Sequence, residues 1–389
     1  HPAIDFHVLL DHSFTPREAG VGLARKILMD EAVRRFNRLE GPGTEPAGGS
    51  PAEPADRTSA NPAGFPQGII ASLDADVVVD PSYLMALHDH FALTGEPGKK
   101  NQAGHEHEGC SICFEHPLDA EEDPHHIAEQ DPTEIKHRSQ QRDPSVYDAI
   151  AQYELHLRYY LEAVRSTGFP HAHHTVGSAF AVRAGVYCLE GGMNRRQGGE
   201  DFYFIQKVAQ RGKWSDCHAT RVVPSPRPSD RVPFGTGPVV KRLMEGQAAG
   251  TGQESHPAEV HPAEASLTTY HPAPFRMLKP LFSGLDSLYR ESEKGWIALE
   301  LDPVLLDFLQ TQGFEDALRE IRGNCASAAA FRKRFWRWFN MFRIMKFLHF
   351  AREHGYGDIP VQKAAGLFVD NEGATVRKLL QEFRKLNRR

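Results

Sequence analysis

The chain has 389 residues, of which 40% are hydrophobic and 25% are charged. This balance is that of an ordinary globular protein, so it excludes a fibrous or wholly disordered chain. The net charge of -6 excludes the broadly basic surface by which proteins hold nucleic acids, so no nucleic-acid partner is expected.

Low-complexity segments predict the domain organisation. Residues 41–66 are rich in Pro, Gly and Ala without periodicity and predict an insertion, as does the His- and acid-rich segment 95–135. A third segment, 245–274, repeats His-Pro-Ala and predicts a linker. We therefore expect a first domain over 1–244 and a helical C-terminal region over 275–389.

The first domain begins with alternating strands and helices. An apolar run at 6–10 ends at Asp11 and predicts a strand, and a second apolar run at 68–73 ends at Asp74. Between them we expect a helix, because apolar residues recur every three or four positions. These residues are Ala24, Ile27, Leu28, Ala32 and Phe36.

The alternation continues further along the chain. The next elements are a helix that starts at Asp80 and Pro81, a helix over 143–168, a strand over 176–182 and a helix over 200–212. Such alternation favours an α/β fold with a mostly parallel sheet flanked by helices. Ligands of these sheets bind beyond the carboxyl ends of strands, where Asp11 and Asp74 fall.

Two carboxylates, Asp74 and Asp76, directly follow the strand at 68–73. Hard oxygen ligands suit Mg²⁺ or Mn²⁺, and a cation held by few protein groups keeps positions open for phosphate oxygens. The pair therefore predicts a Mg²⁺ or Mn²⁺ site that also binds a diphosphate. The structural alternative is a solvated acidic turn.

A glycine-rich loop brings Glu200 and Asp201 to the start of an amphipathic helix. A helix N-terminus favours negative charge, so Asp201 is expected to be ionised near neutral pH. An ionised carboxylate beside an acceptor hydroxyl takes its proton as that oxygen attacks a sugar carbon. The alternative is that both acids only cap the helix.

Four segments together resemble the family-2-type glycosyltransferases of the GT-A fold. They are GVGLARK at 20–26, SLDADVVVDPSYL at 72–84, HTVGSAFAVRAGVY at 174–187 and GGEDFYF at 198–204. Their order and spacing match the family over residues 5–240. The resemblance implies an inverting transfer of a sugar from a nucleotide-diphosphate donor to a hydroxyl of a glycan or lipid-linked acceptor.

The resemblance also implies roles for individual residues. Asp201 would be the catalytic base with Glu200 beside it, while Asp74 and Asp76 would bind the metal. The donor would be held by Gly22, Arg25, Asp11 and Asp74. The acceptor would lie against Gly177, Ser178, Arg183, Gly191 and Gly192.

One departure from the family concerns the start of the sequence. Family members have a strand, a loop and a helix well before the GVGLARK helix, whereas 19 residues precede Gly20 here. We therefore expect the family's first strand to be missing. This departure motivates an alternative, a catalytically inactive sugar-binding or scaffold protein, and the DADVV run motivates another, a haloacid dehalogenase-like phosphatase with Asp74 as nucleophile.

Two further groups of residues suggest binding sites. Arg227 and Arg231 would clamp a diphosphate, because a guanidinium binds phosphate oxygens in a bidentate fork. A zinc hypothesis rests on the spacing of His105, His107, Cys110 and Cys113. It is weakened because Cys110 opens a predicted strand, in which residues three apart point to opposite faces.

The C-terminal region contains a basic aromatic segment at 331–350, with six Lys or Arg and no acid. Phe335, Trp338, Phe339 and Phe342 either pack on the catalytic domain, which we favour, or the segment lies on an anionic membrane surface. Five cysteines are too few and odd in number for a disulfide framework, and no apolar run reaches the ~20 residues of a spanning helix. A cytoplasmic location is expected, and the membrane alternative would make 331–350 a peripheral contact to the inner membrane.

Overall fold

The structure, a computed structural model, describes residues 7–9, 14, 20–39, 68–92, 107–127, 143–230, 235–246, 266–290 and 299–388. The chain divides into two compact units. The sheet unit comprises His1–Phe114 and Thr175–Pro224, and the helical unit comprises Glu115–His174 and Ser225–Arg389. The chain therefore passes between the units three times, at residues 114, 174 and 224.

The sheet unit contains five strands and the helices that flank them in the described part of the chain. In chain order its elements are α1 (Val21–Leu39), β1 (Ile69–Ser72), β2 (Val77–Val79), α2 (Tyr83–Phe91), β3 (Gly109–Phe114), β4 (Phe180–Arg183), α5 (Ala184–Leu189), α6 (Glu200–Ala209) and β5 (Trp214–Pro224). The expected α/β class is therefore confirmed. The sequence did not predict the 11-residue strand β5.

The five strands form one mixed sheet in the order β1-β4-β3-β5-β2. Only β3 and β5 run parallel, while the other three strand pairs are antiparallel, which corrects the expected mostly parallel sheet. The alternation of strands and helices had suggested repeated helical crossovers. Instead, residues 73–76 alone join β1 at one edge to β2 at the other.

This short connection requires the sheet to curl. The five peptide steps from Ser72 to Val77 span at most about 18 Å. Edge strands of a flat five-stranded sheet would lie about 19 Å apart. Asp74 and Asp76 lie on this connection, so they leave the carboxyl end of β1 as predicted.

The core of the sheet unit lies between the sheet and α1, α5 and α6. Phe180 of β4 packs against Phe204 of α6, with ring centroids 5.9 Å apart, and against Trp214 of β5. The buried members of this cluster are Met29, Ile70, Phe180, Val182, Ala184, Val186, Tyr187, Met193, Phe204, Ile205, Val208, Ala209 and Trp214.

The inward face of α1 agrees with the predicted stripe at Ala32 and Phe36, which pack against this cluster, and differs from it in the first half of the helix. Its buried residues are Gly22, Arg25 and Met29, whereas Ala24 is exposed and Leu28 is 55% exposed. The apolar pattern pointed to the neighbouring stripe because Arg25 occupies an inward position. An arginine there is stable only if acids neutralise it, which the sequence pattern does not reveal.

Several elements begin at, or lie in, other residues than the sequence predicted. The segment 95–135, expected to be an insertion, contains β3 at the centre of the sheet. The strand expected at 176–182 is β4, which begins only at Phe180. Residues 7–9 are described without a strand, and the predicted insertion at 41–66 lies outside the described residues.

The helical unit consists mainly of helices in the part that is described. Its elements are α3 (Pro124–Ile127), α4 (Pro144–Ser166), α7 (Thr236–Met244), β6 (Thr268–Thr269), α8 (Pro272–Ser283), α9 (Leu285–Arg290), α10 (Pro303–Thr311), α11 (Phe314–Gly323), α12 (Ala328–Trp338), α13 (Met341–Glu353), β7 (Ile359–Pro360), α14 (Val361–Phe368) and α15 (Val376–Leu386). None of the described helices has the length and apolar character needed to cross a membrane.

The predicted domain boundary near residue 245 differs from this division. Helix α4 begins where predicted, since the Asp143 carboxylate accepts from the Ser145 N–H at 2.9 Å, but it belongs to the helical unit. The expected linker 245–274 is interrupted by α8, because His271 caps the start of that helix and Pro272 occupies its first turn. His-Pro-Ala at 271 is therefore a helix start, and residues 247–265 lie outside the described part.

Candidate active site

Arg25 joins three distant segments of the sheet unit. Its guanidinium donates to the Glu200 carboxylate at the start of α6 and to the Asp74 carboxylate after β1. The side chains of Arg25 and Glu200 are 10% and 2% exposed, whereas that of Asp74 is 43% exposed. The site therefore has a buried ion pair on one side and a solvent-facing carboxylate on the other.

Small residues allow this close approach. A Cβ atom on Gly22 would collide with the Arg196 carbonyl oxygen, so only glycine lets α1 pack against the loop before α6. A Cβ atom on Gly177 would lie 2.5 Å from the Arg25 guanidinium. The Ser72 hydroxyl donates to the Gly177 carbonyl at 2.7 Å and so fixes this segment to β1.

Asp201 lies half-buried beside this group. Its carboxylate accepts from the backbone N–H groups of Phe202, at 2.7 Å, and Gly177. Burial and the adjacent Glu200 raise the pKa of Asp201 to about 6, against the opposing effect of Arg25 and the two N–H donors. At pH 7 Asp201 is thus about nine-tenths ionised, and it is a stronger base than an ordinary aspartate.

The loop before α6 orients the two acids. Gly192 donates its N–H to the Tyr187 carbonyl at 2.9 Å, and Gly191 and Gly192 both have a φ of 75°. Asn194 donates to the Glu200 carbonyl at 3.0 Å, which holds the loop against the first turn of the helix. Because the Glu200 side chain reaches Arg25, it does more than cap α6.

Asp74 and Asp76 are the two carboxylates predicted to bind a divalent cation. Asp76 lies half-buried on the same connection as Asp74. Among the residues that the structure describes, no three His, Cys, Asp or Glu side chains are grouped to hold a metal by themselves. Two carboxylates are nevertheless a donor set that Mg²⁺ uses when substrate phosphates supply further oxygens.

Within the described ranges, the other residues predicted to bind the acceptor or a phosphate form no hydrogen bond with Arg25. Arg183 donates to the backbone carbonyls of His107, at 2.7 Å, and Phe91, at 2.6 Å, so its guanidinium holds β4 to neighbouring segments. Ser178 is buried, at 5% exposed. Asp11 and Arg231 lie outside the described residues, and Arg227 belongs to the helical unit.

The zinc hypothesis gains no support from the described residues. Cys110 is fully buried and its thiol is hydrogen-bonded with Cys217 of β5, whereas Cys113 is partly exposed. His105 lies outside the described part of the chain. Cys110 therefore takes part in the contact between β3 and β5.

Comparison with known proteins adds no relative. No family model, curated protein or solved structure matches this chain.

Sequence reasoning missed two residues of this site, Ser72 and Asn194. Ser72 is the last residue of β1, and the sequence does not reveal that its hydroxyl reaches the Gly177 carbonyl. Asn194 bonds to a backbone carbonyl, and no residue pattern marks such a contact.

Proposed function

We propose that the chain is an inverting, metal-dependent glycosyltransferase of the GT-A type. It would move a sugar from a nucleotide-diphosphate donor to a hydroxyl of a glycan or lipid-linked acceptor. The observation that carries the proposal is the convergence of Arg25, Asp74 and Glu200 beside Asp201, a carboxylate whose pKa is raised to about 6.

Asp201 is the catalytic base of this proposal. As the acceptor oxygen forms its bond to the anomeric carbon, the Asp201 carboxylate takes the hydroxyl proton. The bond from the anomeric carbon to the diphosphate oxygen breaks, and the nucleoside diphosphate leaves with that electron pair. A base works best when its pKa lies near the working pH, and burial moves Asp201 toward that range.

Arg25 and Glu200 position the base and the donor. Two buried atoms here, Arg25 Nε and Glu200 Oε2, have no hydrogen-bond partner within the described part of the chain. Buried polar atoms are nearly always hydrogen-bonded, so these two support a polar ligand or a water at the site. Donor phosphate or sugar hydroxyl groups have the required chemistry.

Asp74 and Asp76 would hold the metal together with the donor. Bound Mg²⁺ or Mn²⁺ neutralises charge that develops on a departing diphosphate. Arg25 pairs with both Asp74 and Glu200, so its one positive charge does not balance these two carboxylates and that of Asp201 beside them. An excess of negative charge would repel an anionic donor. Charge balance therefore supports donor binding that depends on a divalent cation.

Thermal-shift and product-release measurements on the full chain test the proposal. A panel of nucleotide-diphosphate sugars is measured with and without Mn²⁺. We expect one donor to raise the melting temperature only with Mn²⁺ and to be slowly hydrolysed to nucleoside diphosphate. Asp201→Asn should keep the shift and lose hydrolysis, and the exposed control Asp89→Asn should keep both.

Two results would overturn the proposal. Hydrolysis of phosphomonoesters without donor turnover would favour the phosphatase alternative. Stabilisation by a sugar alone, with no release of nucleoside diphosphate from any donor, would favour the inactive sugar-binding protein.

A further inference from the structure

Helix α12 carries four adjacent basic residues, Arg332, Lys333, Arg334 and Arg337, and all four are exposed. We call this surface the cationic face. It lies entirely within the helical unit, and its residues have no part in the proposed sugar transfer.

The aromatic residues of α12 point the other way. Phe331 and Phe335 are fully buried, and Trp336 packs edge-on against Phe282 of α8 with ring centroids 4.9 Å apart. Trp338 lies under the Arg343 guanidinium, 3.8 Å from the ring centroid. The aromatic residues therefore pack, but against other helices of the helical unit, whereas the prediction placed them on the first domain. They are not arranged to insert into a lipid layer.

The charge on this face is poorly balanced locally. Residues 321–352 contain no Asp or Glu. Arg332 reaches Asp286 of α9 at 2.5 Å, whereas Lys333, Arg334 and Arg337 form no ion pair with a described residue. Lys333 and Arg337 are four positions apart and Arg334 and Arg337 three, spacings at which like charges on a helix repel.

We propose that the cationic face docks on the anionic headgroups of a phospholipid bilayer, by charge and without insertion. Its cations project from a convex helix surface, so they suit a planar array of phosphates and not a single enclosed ion. Anionic leaflets attract exposed Lys and Arg near their surface, and the attraction falls off within a Debye length. The docking does not depend on the proposed sugar transfer.

Vesicle co-sedimentation of the full chain tests this docking. The vesicles are phosphatidylcholine alone or with 30% phosphatidylglycerol, in about 50 mM and about 500 mM salt, a range over which screening increases several-fold. We expect binding only to the anionic vesicles and only in low salt. Tryptophan fluorescence should not shift, since Trp336 and Trp338 stay packed.

The decisive variant is Lys333→Glu/Arg334→Glu/Arg337→Glu. Each cation near an anionic surface contributes about five-fold in affinity, so losing three should weaken binding at least about 100-fold. The matched control Lys363→Glu/Lys378→Glu/Lys385→Glu changes the same charge at exposed sites of α14 and α15 and should retain more affinity than the first variant. Circular dichroism confirms that both variants fold.

Three outcomes would overturn the docking proposal. They are equal binding to neutral vesicles, no binding of the unmodified chain to anionic vesicles, and an equal loss in both triple variants. The third outcome would indicate attraction by overall charge. None of them affects the donor measurements, so docking and sugar transfer fail or succeed separately.

Discussion

Arg25 donates to the carboxylate of Glu200 across 175 residues of sequence, and both side chains are almost completely excluded from solvent. The pair connects the N-terminal part of α1 to the first residue of α6. A charge removed from water in this way depends on its partner, because the partner replaces the lost hydration.

Replacing Arg25 with methionine should therefore destabilise the protein severely. Arg25→Met leaves Glu200 buried without its cation, and we expect a loss of about 3–5 kcal/mol in the free energy of unfolding. Urea denaturation at pH 7 measures it. Arg25→Met/Glu200→Gln should recover part of the loss because it removes both charges, and the exposed control Arg34→Met should change stability by less than about 1 kcal/mol. Equal stability of Arg25→Met and the unmodified protein would contradict the role of this pair.

The rate of sugar transfer should depend on the ionisation of Asp201. With its pKa raised to about 6, activity should fall about ten-fold per pH unit below pH 6 and level off above pH 7. Asp201→Asn should lower the rate by about 10²–10⁴-fold and abolish this pH dependence. Initial rates across pH 4.5–8.5 provide the test, and a profile that is level from pH 5 would rule out Asp201 as the base.

The same pKa shift should appear in stability. The folded protein holds the Asp201 proton more tightly than the unfolded chain, whose carboxyl titrates near pH 3.8. The protonated Asp201 therefore stabilises the folded protein fully below about pH 4. This stabilisation is lost as the pH rises through 6. Asp201→Asn should melt at a higher temperature than the unmodified protein at pH 7, with a smaller difference at pH 4.5. A lower melting temperature for Asp201→Asn than for the unmodified protein at pH 7 would show that burial does not destabilise the charged Asp201 carboxylate.

Asp76→Ala should weaken donor binding that depends on Mn²⁺. Mutating a residue that only hydrogen-bonds to a metal ligand typically lowers metal affinity about 10–100-fold. Asp76 would be a ligand itself, so its loss should lower the affinity at least as much. Titration calorimetry with the best donor and Mn²⁺ gives the affinity. Asp89→Ala, at an exposed carboxylate of α2, should bind normally. Unchanged affinity of Asp76→Ala would remove Asp76 from the metal site.

Glu154 should make the helical unit sensitive to acid. It accepts from Arg158 at 2.7 Å, Arg384 at 2.8 Å and the His116 N–H at 2.8 Å. Burial alone would raise its pKa, but Arg158, His116 and Arg384 outweigh burial and hold the pKa well below its usual range. Its stabilising effect is therefore complete above about pH 4.5 and is lost as the pH falls.

Glu154→Gln should lower the free energy of unfolding by about 3–5 kcal/mol at pH 7, because two arginines lose their buried partner. Urea denaturation should show the difference shrinking below pH 4.5. Asp148→Asn, at an exposed carboxylate that pairs with Arg377, should cost less than about 1 kcal/mol. A difference that stays constant between pH 7 and pH 3.5 would mean that Glu154 is not ionised in the folded protein.

The sequence predicted the elements with strong local signals. Asp143 and Pro144 mark the start of α4, and the acids at 200 and 201 open α6 as expected. The apolar run before Asp74 gave β1. These features depend on neighbours in the sequence, such as a capping side chain or a run of apolar residues.

Features that depend on residues far apart in the sequence could not be predicted from local residue patterns. The direction of β4 and the central place of β3 depend on pairing between strands, and an apolar run does not encode its partner. Arg25 interrupts the apolar stripe of α1, so the first half of the inward face was assigned one position away, whereas Ala32 and Phe36 were assigned correctly. The raised pKa of Asp201 depends on burial, which only the packed structure supplies.

The chain crosses between the two units three times, and this limits which recombined genes would encode both units intact. No single cut separates one unit from the other, since each consists of two separate stretches of chain. A hybrid made by joining this gene to a homologue at residue 245 would exchange only part of the helical unit and leave α4 with foreign neighbours. An exchange confined to a short loop within one unit would leave the chain path between the units unchanged.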